Sequence, residues 1–464
     1  MHGRGGRECL IQRGTRSAAN LQSSPLRSPT MPAEIKPPSP EDVVAGQVPI
    51  WMDACFFQKA LREGGDDPKI RVVECDVEEA LGKGENYVSI VYRALVKDGN
   101  GKEYHLIIKC LPSNEARKMS NQGKFFRKEI DMYGVVFPAY EKLQPKKDSL
   151  PWPKHFFSFL DGECDYLVME DLKRSGFVMR ERHRGLDKNH AEVALSAMAK
   201  HHANSFMMKI LDPEKFKKCV ELFPESIFNS ECSDIMETFI KTALETTAEN
   251  VREWGGQRYQ QIAAKIEKMQ STAFKDVIEL LEPVEPGAVI THGDFWVNNM
   301  LFKYSNAKEA ETGSAKPVDI KLLDFQIARY SSPVTDLVYF MVSSITGKTR
   351  KEHWDDLLES AYLKTFWDTM EYFGLKDQVP KGIFTMEWLK SECRRNILFT
   401  FMSSITVTPA VLAEAEEAPD MDKLTEEELT GEAPNPFVDL YKGKVFVARF
   451  KELVDLFEEE GLFF

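Results

Sequence analysis

The chain has 464 residues, a formal charge of −13, and 43% hydrophobic and 11% aromatic residues, ample material for a large core or two closely joined lobes. Its acidic balance, with no Lys/Arg cluster of the nucleic-acid-binding type, argues against a nucleic-acid partner while leaving room for a local basic pocket that holds one nucleotide. Eight scattered cysteines without a CxxC pair suggest neither a zinc site nor a disulfide framework, and no run of about 18 apolar residues reads as a membrane span.

The first 40 or so residues are rich in Arg, Ser, Pro and Gly, with Glu8 the only acid before Glu34. Residues 1–45 are expected to be a disordered extension, or sequence upstream of a working start at Met31. An Arg-rich, acid-poor start is also the composition of a mitochondrial presequence. Cysteine usage otherwise favours the reducing cytoplasm, and a monomer is expected.

Strands are expected between Val72 and Cys110. Tyr87 to Val96 is rich in Val, Ile and Tyr, Lys97 to Gly101 is a turn, and Glu103 to Cys110 follows, which makes a hairpin in a small sheet. Asn114 to Leu143 carries Phe125, Phe126, Ile130, Tyr133 and Phe137 at helical spacing, with Pro138 interrupting it. Phe156 to Leu160 and Tyr166 to Met169 close this N-terminal lobe, assigned to residues 46–172. Long helical patterns follow at Asn189 to Met208, Asp234 to Trp254 and Tyr259 to Leu281. Short apolar strands are expected at Ala288 to Thr291 and Ile320 to Leu323, with helices resuming to the C-terminus around an exposed loop at Glu414 to Pro436. Residues 173–464 form the expected C-terminal lobe.

The chemistry is concentrated around those two short strands. Thr291-His292-Gly293-Asp294-Phe295 is followed five residues after Asp294 by Asn299, and Leu322-Leu323-Asp324-Phe325-Gln326 lies about 30 residues on. Phosphoryl transfer needs a carboxylate near the attacking hydroxyl, and acidic or amide oxygens to hold magnesium against the phosphates. Asp294, Asn299 and Asp324 supply these groups. A lone Asp-Gly or Asp-Phe pair is ordinarily a turn or a strand cap; the two together, each beside an apolar strand, are specific.

A fixed cation on the phosphates is the next requirement. Lys109 ends a strand with its side chain on the same face as Ile107. Glu129, on the helix about 20 residues later, is placed to pair with it; Glu115 and Asp131 are the competing partners. Gly82, Gly84 and Asn86 lie in a turn whose backbone is able to cover phosphates; the third glycine of the protein-kinase loop is lacking, and a plain hairpin turn is the alternative. Glu170, Asp171 and Leu172 fall where the lobes meet, and their backbone is positioned for adenine; linker chemistry alone also accounts for them. Asp336 either orients the Asp294 loop or caps a helix. His201 and His202, on an apolar helix, read as a packed core pair rather than a metal site.

These residues resemble the ecdysteroid kinase-like (CHK kinase-like) family, near choline kinases and aminoglycoside phosphotransferases. Besides HGDFWVNN and LLDFQ, the stretches GENYVSIVYR (Gly84 to Arg93), FRKEIDMY (Phe126 to Tyr133), LVMEDLKRSGF (Leu167 to Phe177) and MAKHHANS (Met198 to Ser205) carry the likeness, which runs from about residue 70 to 450. The resemblance implies an α+β, two-lobed protein-kinase-like fold, with a small antiparallel sheet and helix followed by a large helical lobe. It further implies ATP between the lobes, Mg2+, Asp294 as catalytic base, and Asn299 and Asp324 as metal ligands. The implied substrate is the hydroxyl of a small alcohol, steroids included. Choline-type kinases and non-catalytic binding proteins share the outline. A protein kinase would show HRD and APE segments, and neither is present.

Overall fold

The computed structural model describes residues 47–65, 67–80, 89–111, 122–144, 150–161, 165–229, 233–313, 315–413 and 438–463. Helix α1 (Ala54–Gly64) opens the described chain. Its first N–H groups, on Cys55 and Phe56, are taken by the Asp53 carboxylate at 2.9 Å, a cap worth about 1 kcal/mol. An antiparallel sheet follows, built from β1 (Val72–Glu79), β2 (Ile90–Asp98), β3 (Glu103–Cys110), β4 (His155–Phe159) and β5 (Tyr166–Glu170) in the order β1-β2-β3-β5-β4.

Alternation along the strands gives this sheet two different faces. Tyr92, Ala94 and Val96 of β2 and Leu106, Ile108 and Cys110 of β3 point outward and bury against Phe56, Phe57, Ala60 and Leu61 of α1. Each such apolar side chain contributes about 1.5–3 kcal/mol. Gly64 lets α1 touch the sheet: a Cβ there would lie 2.1 Å from Phe156 Cα. The opposite face of β3, with Ile107 and Lys109, turns toward the rest of the chain.

Helix α2 (Gln122–Asp131) packs on that second side. Pro138 does not interrupt this helix as its place in the sequence suggests: the helical path continues through a π turn at Met132–Val136 into α3 (Phe137–Leu143). Phe137 N–H donates to Met132 O five residues back, so Pro138 falls in the first turn of the next segment, where its missing N–H leaves no bond unmade.

The second lobe is organised by α4 (Lys188–Leu211), buried on nearly all sides. Around it lie α5 (Pro213–Val220), α6 (Ser233–Glu253), α7 (Gln257–Met269) and α8 (Ala273–Leu281). The pattern expected as one helix from Tyr259 to Leu281 is two helices, because the chain turns at Gln270–Thr272. Two small sheets hold the chemistry-bearing loops. β7 (Val289–Ile290) pairs with β10 (Tyr330–Ser331), while β6 (Phe177–Val178), β8 (Met300–Lys303) and β9 (Asp319–Leu322) form the other. Helix α9 (Ala307–Thr312) lies between β8 and β9, and α10 (Val334–Ser343) follows β10; the π turn Leu358–Leu363 and α11 (Lys364–Tyr372) pack on α4. A small antiparallel sheet with its helix, followed by a large helical lobe, is the two-lobed α+β kinase-like architecture. The expected loop at 414–436 lies outside the described residues.

Candidate active site

Two hairpin-like crossings place the acidic residues. Thr291 N–H and its hydroxyl both donate to Arg329 O, at 2.8 and 3.0 Å, extending the β7–β10 pairing into the two loops. After the turn Val297–Asn299 the chain enters β8, and the ladder Met300↔Leu322 fixes β8 against β9. Asn299 and Leu323 stand just past that ladder, with Leu323 N–H donating to Asn299 O at 2.9 Å. Asn299 and Asp324 therefore leave paired strands side by side, which is why residues far apart in sequence meet here.

Gly293 makes the tightest backbone approach in the loop. Its φ is +83°, and a Cβ on it would sit 2.0 Å from Ile327 O; only glycine fits. Asp336, in the first turn of α10, does not cap its own helix. Its Oδ2 accepts His292 N–H at 2.7 Å and its Oδ1 accepts Gly293 N–H at 2.8 Å. His202 Nε2–H donates to the same Oδ2 at 3.0 Å, while its Nδ1 accepts Tyr362 OH at 2.9 Å. Burial pushes the Asp336 carboxyl up, but the bond from His202 and the surrounding donors hold it below the usual carboxylate range.

His292 ties the two loops together. Asp294 N–H donates to Nδ1 at 3.3 Å, so Nε2 carries the proton and donates to Leu323 O at 3.0 Å. Burial keeps this imidazole neutral by lowering its pKa. His201, the other member of the pair, is fully buried among Phe137, Trp152 and Phe325.

Asp294 has both carboxylate oxygens engaged. Tyr339 OH donates to Oδ1 at 2.7 Å, and Asn299 Nδ2 donates to Oδ2 and to the Asp294 carbonyl, each at 2.9 Å. Burial pushes its pKa up to about 6; the Tyr339 bond opposes that rise and the charge of Asp324 adds to it. Poised near neutrality, such a carboxylate is suited to take a proton from a hydroxyl.

Lys109 Nζ lies 2.7 and 2.6 Å from the two oxygens of Glu129 and 3.5 Å from Asp324 Oδ1. Burial disfavours its charge, but Asp324 and Glu129 outweigh that and keep it an ammonium. Of the competing partners, Asp131 instead lies 3.7 Å from Arg127, and Glu115 is outside the described residues. The neighbouring Lys128, unforeseen in the sequence, donates to Ala328 O at 2.9 Å. Helix α2 thus grips β3 with one residue and the Asp324 loop with the next.

Asp324 has φ +64°, a left-handed backbone that is uncommon outside glycine. Its Oδ1 is buried and accepts no hydrogen bond, its charged neighbour being the Lys109 ammonium at 3.5 Å, so it has capacity left for a cation. Asn299 spends its amide nitrogen on Asp294, leaving its amide oxygen as the atom that could face a cation. Among the described residues no three His, Cys, Asp or Glu side chains converge. A cation here would take few protein ligands and complete its shell with phosphate oxygens, the habit of Mg2+.

The remaining expected positions differ in kind. Gly82, Gly84 and Asn86 lie outside the described residues. Glu170 Oε1 accepts Lys154 N–H at 2.8 Å, and Asp171 Oδ2 accepts Arg93 Nε–H at 2.6 Å. The backbone N–H of Asp171 donates to His105 O, and Leu172 O accepts Ser175 and Phe177. Their side chains and much of their backbone are thus engaged within the protein. Tyr339, Lys128 and Arg93 were missed; Tyr339 follows Asp336 by one helical turn, and Arg93 shares the inward face of β2 with Val91.

The ecdysteroid kinase-like family matches residues 83–375. No curated protein matches the chain. Among solved structures, the GDP complex of wild-type aminoglycoside 2'-phosphotransferase-IIIa aligns at 11% identity, covering 87% of this chain and 99% of that one, with a TM-score of 0.37. A glucosamine kinase aligns at 10% identity over 76% of this chain and 95% of its own, with a TM-score of 0.31.

Proposed function

The chain belongs to the ecdysteroid kinase-like family, and we propose that it transfers the γ-phosphate of ATP, with Mg2+, to a hydroxyl of a small alcohol such as a steroid or xenobiotic. The observation that carries this reading is Lys109 Nζ set between Glu129 and the buried Asp324 Oδ1, which pairs with that ammonium at 3.5 Å. Residues 46–172 are assigned to the nucleotide lobe and 173–464 to the lobe that binds the acceptor.

Asp294 accepts the proton of the attacking hydroxyl as the new O–P bond forms and the bond to the ADP oxygen breaks. Lys109, held straight by Glu129, offsets charge on the phosphates. Asn299 and Asp324 would hold Mg2+, which when bound neutralises the phosphates further. Asp336 and His202 keep the Asp294 loop in one shape, so little reorganisation accompanies the step.

The test is a panel of hydroxylated steroids, amino alcohols of the choline type and glycosides, incubated with ATP and Mg2+ and read by mass gain of one phosphoryl group. The expected result is transfer to at least one acceptor, lowered roughly 10²-fold or more in Asp294→Asn. Equal transfer by wild type and a folded Asp294→Asn variant would reject the role of that carboxylate. A choline-type acceptor would move the substrate class without disturbing the mechanism.

A further inference from the structure

Lys109 and its partners occupy one end of the inward face of β3. The strand register says what occupies the other end. Val91 stands opposite Lys109 and Arg93 opposite Ile107, while Ile107 in turn stands opposite Met169 of β5. Directly paired residues share a face, so Arg93 projects to the same side as Lys109, one side-chain repeat (about 7 Å) nearer the crossing between the lobes. At that crossing, Asp171 N–H donates to His105 O.

Arg93 is not a free surface cation. Its Nε lies 2.6 Å from Asp171 Oδ2, and one terminal nitrogen lies 3.7 Å from Glu78 Oε1. Asp171 is itself anchored, its Oδ1 accepting Lys173 N–H at 3.0 Å. The Asp171 side chain is 3% exposed and that of Arg93 22%. The guanidinium is therefore pinned at one edge by a buried carboxylate while part of its surface stays open. An ion pair needed only to join β2 to the crossing would be served as well by lysine; a planar group offers something more, a flat cationic face.

With its phosphates at Lys109, a nucleotide that extended along β3 toward the crossing would lay its ribose and base beneath Ile107 and Arg93. We infer that Arg93, oriented by Asp171, roofs the base site and stacks its guanidinium on the purine ring of the bound nucleoside triphosphate. This rests on the nucleotide reading of the cleft given above. Stacking on a ring face does not read the ring's edge, so adenine and guanine are held alike by this contact.

The test is titration calorimetry on the full chain with Mg2+ and three probes: ATP, GTP and inorganic tripolyphosphate. Arg93→Met is expected to weaken ATP and GTP by a similar factor, roughly 3- to 30-fold, and to leave tripolyphosphate unchanged. Arg93→Lys, which keeps the charge but not the plane, is expected to behave like Arg93→Met. Removing Arg93 alone leaves Asp171 buried and unpaired, so Arg93→Met/Asp171→Asn serves where the single variant does not fold; its Asn still accepts Lys173 N–H. An equal loss for all three probes would reduce the pair to a structural link and overturn the inference, as would no loss at all. A wild-type chain that binds none of the probes would overturn the nucleotide reading itself.

Discussion

Tyr339 OH donates to Asp294 Oδ1 at 2.7 Å from one helical turn beyond Asp336. One short helix therefore holds both the backbone of the Asp294 loop, through Asp336, and the carboxylate that loop presents. Burial and the Asp294 charge raise the Tyr339 pKa well above that of an ordinary phenol, so it remains a donor at neutral pH. Tyr339→Phe removes a hydrogen bond to an ionised group, worth about 1.5–3 kcal/mol. The expected result is a folded protein with turnover reduced roughly 10-fold or more, and an acid limb of the pH–rate profile moved to higher pH, since the bond holds the carboxylate down. An unmoved profile would mean that Tyr339 does not act on Asp294.

Gly293 and Gly101 separate shape from space. Both have positive φ, +83° and +81°, but a Cβ at Gly101 meets nothing within 4 Å, whereas at Gly293 it strikes Ile327 O. Gly293→Ala is expected to lower the melting temperature far more than Gly101→Ala, whose cost is the backbone strain alone, about 1 kcal/mol. Thermal melts of the two variants decide this.

Asp336 is buried with three donors aimed at it. Asp336→Ala leaves those donors without an acceptor, at a cost of about 1–3 kcal/mol for each that stays unsatisfied, read by denaturant unfolding. His202→Phe removes only one of the three and should cost less. If Asp336→Ala unfolds like the wild type, the loop is held by other means.

Buried histidines contribute to the acid sensitivity. Burial lowers the His155 pKa to about 4 and lowers those of His201 and His292 as well. Below the ordinary value of about 6.5, the unfolded chain takes up protons that the folded chain refuses, so stability falls as pH drops from there toward the folded pKa. His155 alone accounts for a loss of up to about 3 kcal/mol by pH 4. Buried carboxyls with raised pKa values, Asp294 and Asp131 at about 6 among them, act in the opposite sense over the same range. The measurement is therefore a difference: from pH 7 to pH 5 the wild type should lose more stability, or gain less, than His155→Gln, and equal changes in the two would contradict it.

The sequence made the site legible wherever one residue type had to recur beside a short apolar strand. Asp294, Asn299 and Asp324 stood out that way, and Lys109 followed from strand alternation. Spacing favours Glu129 as the partner of Lys109, and the structure pairs them, but excluding Glu115 and Asp131 requires knowing how α2 is rotated on the sheet. Tyr339, Lys128 and Arg93 looked like ordinary helix and strand residues, since their roles arise from what lies across the fold. The π turn before Pro138 escaped for a similar reason: the residue that signals a helix break was accommodated by a local slip in hydrogen bonding. Helices α1 and α5, short and unremarked in sequence, are fixed by packing more than by pattern.

The proposed role of Lys109 and Asp324 is to share one metal-bound triphosphate. Its most direct measurement is the affinity for ATP, by calorimetry, with Mg2+ and with chelator, in wild type and in Asp324→Asn. Asparagine tolerates the left-handed backbone at that position, so the variant should fold. Mg2+ should tighten ATP binding by the wild type, and this tightening should be lost in the variant. Identical Mg2+ dependence in the two proteins would contradict it.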